Sequence, residues 1–189
     1  MTAEMYVPQF LVKQKLTMMV NRYEIRALGP DGAPGELMAI AQQKRMAFKE
    51  QVTFFADEAR TQPVFGFKAR QAMDLGAGYD VFDAAGTPIG HFRKDFGKSL
   101  LRSSFHLSGP GLEAFGQERS QAVALIRRFV DIPLPFHFDF ADTATGQVVL
   151  TSERRMSIGD RYTVTVPDDR LDFRLAAAMA VGLDALLAR

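Results

Sequence analysis

The chain has 189 residues, 47% of them apolar and 24% charged, with a net charge of +1. This describes one domain, residues 1–189, able to bury a real core; a disordered chain and nucleic-acid binding through bulk charge are both excluded. The absence of cysteine excludes disulfides, a thiol nucleophile, cysteine-ligated zinc and palmitoylation, and sixteen Phe with no Trp point to a strand-rich core.

The N-terminus, M-T-A-E-M-Y-V-P-Q-F, lacks the basic and apolar regions of a secretory signal. Gln9 to Lys15 reads as a first strand, and Leu16 to Leu28 alternates as a second. Gly29 to Gly35 (G-P-D-G-A-P-G) is a dense turn signal, and Leu37 to Ala41 returns from it. Short strands are expected over Met46–Phe48, Val52–Phe55 and Val64–Phe67. Tyr79–Asp83 and Ile89–Phe92 flank a turn at Ala84–Pro88. Leu100–Leu107 is strand-like, and Gly109-Pro110-Gly111 breaks the chain. From Glu118, the spacing of Ala122, Leu125, Ile126, Phe129 and Val130 predicts a helix that stops before Pro133. Phe136–Phe140, Val148–Leu150 and Tyr162–Val166 complete the strands.

The last segment is a helix of another kind. Pro167 ends the preceding strand, Asp168 or Asp169 is placed to cap, and Asp172 suits the first turn. Leu175 to Leu183 carries no polar side chain on any face, the pattern of a helix buried on all sides. A membrane span needs about 20 apolar residues; Arg174 and Asp184 bracket too short a run, so the chain is not expected to be transmembrane. The expected location is cytoplasmic, with peripheral membrane contact left open.

A unit repeats along the strands. Tyr23-Glu24-Ile25, Tyr79-Asp80-Val81 and Phe138-Asp139-Phe140 each place an acid between an aromatic and an apolar residue. Each leads to a Gly-containing turn, a short return strand and a basic pair: Lys44-Arg45, Arg93-Lys94 and Arg154-Arg155. Recurring antiparallel hairpins suggest a meander closed into a barrel, since closure removes exposed edges. About a dozen strands would leave room for the C-terminal helix inside.

The opening F-L-V-K-Q-K, the strand–turn–strand Y-D-V-F-D-A-A-G-T-P-I-G followed by Arg93-Lys94, and the ending S-I-G-D-R-Y-T-V resemble the LURP-one-related family. That family shares the tubby C-terminal-like fold with phospholipid scramblases. The resemblance spans nearly the whole chain. It implies a mainly β fold, a twelve-stranded antiparallel closed barrel wrapped around a buried C-terminal helix. It implies no activity by itself.

Catalytic and metal signals are weak. Gly97-Lys98-Ser99 would need a Gly at position 92 to form a phosphate loop, and Phe92 stands there. His91, His106 and His137 have no metal-ligand spacing, and no nucleophile elbow is present. No enzyme, cofactor or metal site is expected. The best remaining signal is a basic cluster, Arg93, Lys94, Lys98 and Arg102, offset by Asp95 alone. Lys13 and Lys15 are expected nearby once the barrel closes. Tubby-type domains hold phosphoinositide headgroups with surface Lys and Arg, so the resemblance implies an anionic membrane lipid as partner at this cluster. Each basic residue near an anionic leaflet is worth about 1 kcal/mol. The bland alternative is a solvated strand face, and with it a barrel that binds a protein partner and no lipid.

Overall fold

A computed structural model describes residues 5–16, 20–44, 51–70, 78–95, 103–120, 137–155 and 161–187. Among them lie twelve strands. In chain order these are β1 (Gln9–Leu16), β2 (Val20–Leu28), β3 (Pro34–Lys44), β4 (Gln51–Phe55), β5 (Pro63–Ala69), β6 (Tyr79–Asp83), β7 (Pro88–Asp95), β8 (Ser104–Gly109), β9 (Leu112–Glu118), β10 (His137–Asp142), β11 (Val148–Arg155) and β12 (Arg161–Thr165). One helix, α1 (Phe173–Leu187), follows them. Strands pair antiparallel in sequence order, and β1 bonds β12 as well as β2, so the sheet closes into a barrel. Closure leaves no free edge. The expected architecture is present.

Alternation with period two puts one face of every strand inside. The repeated units show it: Tyr23 and Ile25, Tyr79 and Val81, and Phe138 and Phe140 are all buried in the core. The intervening acids face outward and meet arginines: Glu24 with Arg26 at 3.1 Å, Asp80 with Arg70 at 2.7 Å, Asp139 with Arg119 at 2.6 Å. The repeat is therefore one of wall construction.

The helix fills the lumen. Every residue from Phe173 to Asp184 is buried, on all faces. The Phe173 ring meets Phe10 of β1 edge-on at 5.1 Å and Phe65 of β5 at 6.2 Å. Close approach requires glycine at two points. A Cβ on Gly90 would lie 2.6 Å from the Leu175 side chain, and one on Gly182 would lie 2.8 Å from the Phe92 ring.

The helix cap differs from expectation. Asp172, not Asp168 or Asp169, is the cap: its Oδ1 accepts the Arg174 N–H at 2.8 Å, and its carbonyl accepts the Ala176 N–H at 3.0 Å. The Arg174 guanidinium also donates to Asp172, at 2.6 and 2.9 Å, so a buried cation enters the barrel with its counter-charge. Asp168 instead shapes the turn that swings the chain from wall to lumen. Its side chain accepts the Arg170 N–H at 3.0 Å, and Arg170 reaches across to Asp142 at 2.7 Å. Arg174 and Asp184 do not merely bracket the buried run; both are buried in it.

A second departure is β9. Leu112–Glu118 is a full strand, not a break running into a helix, and Glu118 is its last residue. The rest of the predicted helix, and the predicted strand over Met46–Phe48, lie outside the described residues.

Asp184 closes the far end of the core. It accepts hydrogen bonds from the Tyr23 hydroxyl at 2.6 Å and from the Tyr162 hydroxyl, and Gln14 donates to Tyr23 at 3.0 Å. Burial, then the Asp184 charge, pushes the Tyr23 phenol well above its ordinary range, so it remains a donor. Tyr162→Phe leaves a buried carboxylate short of one donor. The expected loss is about 1.5–3 kcal/mol, the value of a hydrogen bond to a charged group, read from denaturant unfolding. An unchanged midpoint would show that this anchor contributes nothing.

Candidate functional site

The barrel has two unlike ends. At the near end, where α1 enters, hairpins turn through 29–33, 56–62, 84–87, 110–111 and 143–147. The strands join at the far end through 17–19, 45–50, 71–78, 96–103, 119–136 and 156–160, most of which lies outside the described residues.

Charge follows these ends. Asp31, Glu36, Asp57, Glu58, Asp83, Glu113, Asp142, Asp168, Asp169 and Asp172 sit in or beside the near-end turns, against Arg26, Arg60, Arg170 and Arg174. The far halves of the strands, with the residues next after β5 and β9, carry Lys13, Lys15, Arg22, Lys44, Lys68, Arg70, Arg93, Lys94, Arg119, Arg154, Arg155 and Arg161. Among the described residues they hold fewer acids, Glu24, Asp80, Asp95, Glu118, Asp139 and Glu153, with Asp184 of α1 buried beside them. Among the described residues, charge is thus polarised along the barrel axis, in a chain of net charge +1.

The predicted cluster divides on folding. Arg93 and Lys94 are consecutive in β7, so they leave the strand on opposite faces. Arg93 is exposed on the outer wall, across from His106 of β8. Lys94 is half-buried on the side of Phe92, across from Phe105. Lys98 and Arg102 lie outside the described residues, between β7 and β8, as does Gly97-Lys98-Ser99. Lys13 and Lys15 do not join this cluster. They are on β1, six strands from β7 in either direction around the barrel. Angular position in a closed barrel depends on strand order, which brings β1 beside β12 and puts β7 across the lumen.

The histidines stand apart from any metal geometry. His106 lies 3.3 Å from Asp95 and packs on the Phe115 ring at 5.0 Å. Burial, then the charge of Arg70, lowers the pKa of His91. Among the described residues no group of His, Asp and Glu is placed to hold a metal. No helix there is long and apolar enough to cross a membrane.

Closure assembles a basic wall that sequence reasoning missed. Its members come from strands at the two ends of the chain. On the outer face, Lys13 of β1 lies directly opposite Arg161 of β12. On the other side β2 adds Arg22, Glu24 and Arg26. Glu24 is only 2% exposed and meets Lys15 at 2.7 Å, Arg22 at 3.3 Å and Arg26 at 3.1 Å. Alternation within β1 and β2 placed these residues on one face of each strand; the partnership with β12 carried no local signal.

Burial alone would raise the pKa of Glu24. The hydrogen bonds and charges of Lys15 and Arg26 outweigh it and hold the carboxyl below its usual range. Such a group gives stability that is complete above its unfolded value, about 4.3, and is lost as pH falls through the lower folded value. Glu24→Gln is expected to lower stability at neutral pH and to flatten the acid limb of the stability curve. Unfolding at a series of pH values reads both; curves that run parallel to the parent's would show the ion pairs to be inert.

Neither the curated proteins nor the solved structures searched gave a match. A family model described as LURP-one-related matches residues 38–184, from within β3 to the buried Asp184 of α1. The chain belongs to the LURP-one-related family.

Proposed function

We propose that the protein is a non-catalytic binding module that docks its far end on anionic phospholipid headgroups. The observation that carries this reading is the charge polarity of the barrel, basic at the far end and acidic at the near end. A polarised molecule orients in the negative surface potential of a leaflet, and each basic residue near the surface adds about 1 kcal/mol. The filled lumen supports a surface role over catalysis, because substrates need a concave pocket and the helix occupies the barrel's own. Arg93, Lys94, Lys98 and Arg102 are proposed as part of this far-end surface.

Contact with the leaflet is peripheral. The large hydrophobic residues exposed among those described, Met5, Tyr6 and Val148, are at the near end. A second reading has one feature in its favour. β3 and β4 pair through Ile40–Phe55 and Ala41–Phe54, and beside this short ladder Gln42, Thr53, Phe55, Ala59 and Arg60 line an open depression of about 380 Å³. A protein partner seated there would make the barrel a scaffold.

Co-sedimentation with phosphatidylcholine vesicles, with and without phosphatidylserine, separates the two. Binding is expected to require the anionic lipid and to fall steeply between low and near-physiological salt. Replacing Arg93, Lys94 and Lys98 with Ala is expected to weaken it by about tenfold or more, on the same per-residue scale. No binding at low salt would leave the scaffold reading in place.

A further inference from the structure

The barrel wall is joined most weakly between β3 and β4. Among the described residues this ladder has two pairs, Ile40–Phe55 and Ala41–Phe54. The other eleven ladders have between four and eight. In register, the next pair would be Gln42 with Thr53. It does not form, although both strands continue past it. At this level β3 is held by β2 through Gln42–Arg22, and β4 by β5 through Thr53–Gly66, each on its other side alone. No strand is free along its whole length, yet here two short runs of edge lie open. Open strand edges are templates for another extended chain.

The depression in the outer wall lies at this opening. Gln42 and Thr53, the pair that fails, line it together with Phe55, Ala59 and Arg60. Arg60 comes from the hairpin between β4 and β5 and is exposed. It is the only non-glycine residue of positive φ among those described, at 60°. That left-handed backbone suits glycine, so an arginine there is held at a cost to stability. Its charge is also unanswered. Among the described residues no acid pairs with Arg60: Asp57, in the same turn, accepts the Thr61 N–H at 2.9 Å, and Glu58 reaches Arg22 at 3.4 Å. Open edges, an aromatic side chain at Phe55 and an unpaired guanidinium fit an extended peptide carrying an apolar and an acidic side chain. A lipid headgroup would answer the charge and leave the edges unmet.

We propose that the β3–β4 opening docks an extended acidic segment of a protein partner. Its main chain bonds an open edge beside Gln42 and Thr53, an apolar side chain lies on Phe55, and an Asp or Glu on the same face of the segment meets Arg60. The inference deepens the second reading above, a protein partner seated in the depression, and is independent of lipid docking at the far end.

The full chain is panned against phage-displayed random heptapeptides, and the binders are remade as free peptides. Sequences with an apolar residue and an acid at alternate positions are expected. N-methylation of the amides one at a time is expected to abolish binding at alternate positions and to spare the others, as pairing along one edge requires. Arg60→Gly, which the backbone favours, is expected to match or exceed the parent's thermal midpoint. It is expected to bind the acidic peptides about fivefold more weakly, the upper end for an exposed ion pair, and their amide counterparts as the parent does. Its binding to phosphatidylserine vesicles is expected to be unchanged, so failure of this site and failure of far-end docking are read separately. Acidic peptides that bind Arg60→Gly as tightly as the parent are held elsewhere and overturn the site. A library that yields no binder, or binders that tolerate N-methylation at every amide, overturns it as well.

Discussion

The structure depends on one constraint: a twelve-stranded barrel has a lumen that its own side chains cannot fill. About eight strands close around side chains alone; twelve need an additional body. Here it is α1, and its sequence follows from the task. It must be apolar on every face, as Leu175 to Leu183 is. It must be thin where the wall comes close, as at Gly182 against Phe92. Polar groups taken inside must carry their partners with them, as Arg174 does with Asp172, or find them in the wall, as Asp184 does with Tyr23 and Tyr162.

Filling the lumen also decides where function can lie. The cavity that many barrels use for ligands is occupied by α1, so the proposed binding role is placed on the outer wall and the ends. The hairpin topology then sorts charge. Among the described residues the hairpin turns and the helix-starting segment fall at the near end and draw on Asp and Glu, whose side chains cap and close turns: Asp57 accepts the Thr61 N–H at 2.9 Å, Asp83 the Thr87 N–H at 2.8 Å, Asp142 the Ala144 N–H at 2.8 Å. The acids are therefore spent on turn chemistry at the near end, and the basic surplus is left at the far end. The polarity that suggests membrane docking is in part a by-product of how the barrel turns its corners.

Much of this was legible in the sequence. Strand alternation, the Gly29–Gly35 turn and the all-apolar run after Arg174 are local signals, and the three aromatic–acid–apolar units made closure the economical solution. What escaped was of two kinds. β9 was hidden because its inner positions run Leu112, Ala114, Gly116: a Cβ on Gly116 would fall 2.3 Å from the Phe140 ring, so the alternating face is built partly of small residues. The cap was misplaced because Asp168, Asp169 and Asp172 are equally good capping residues, and only the path from wall to lumen selects the last. The candidate site was harder. The cluster at Arg93 is contiguous in sequence and divides across the wall, whereas Lys13 and Arg161 are distant in sequence and meet only through the β1–β12 closure.

The most direct test of the central claim is native-state hydrogen exchange of the amides from Leu175 to Leu183, compared with the slowest amides of the barrel strands. If the helix is the core around which the wall closes, its amides exchange only through global unfolding, with the same free energy and denaturant dependence as those strands. Helix amides that exchange through a cheaper, denaturant-insensitive opening, while the strands stay protected, would show a barrel that stands without its filling and would contradict the account.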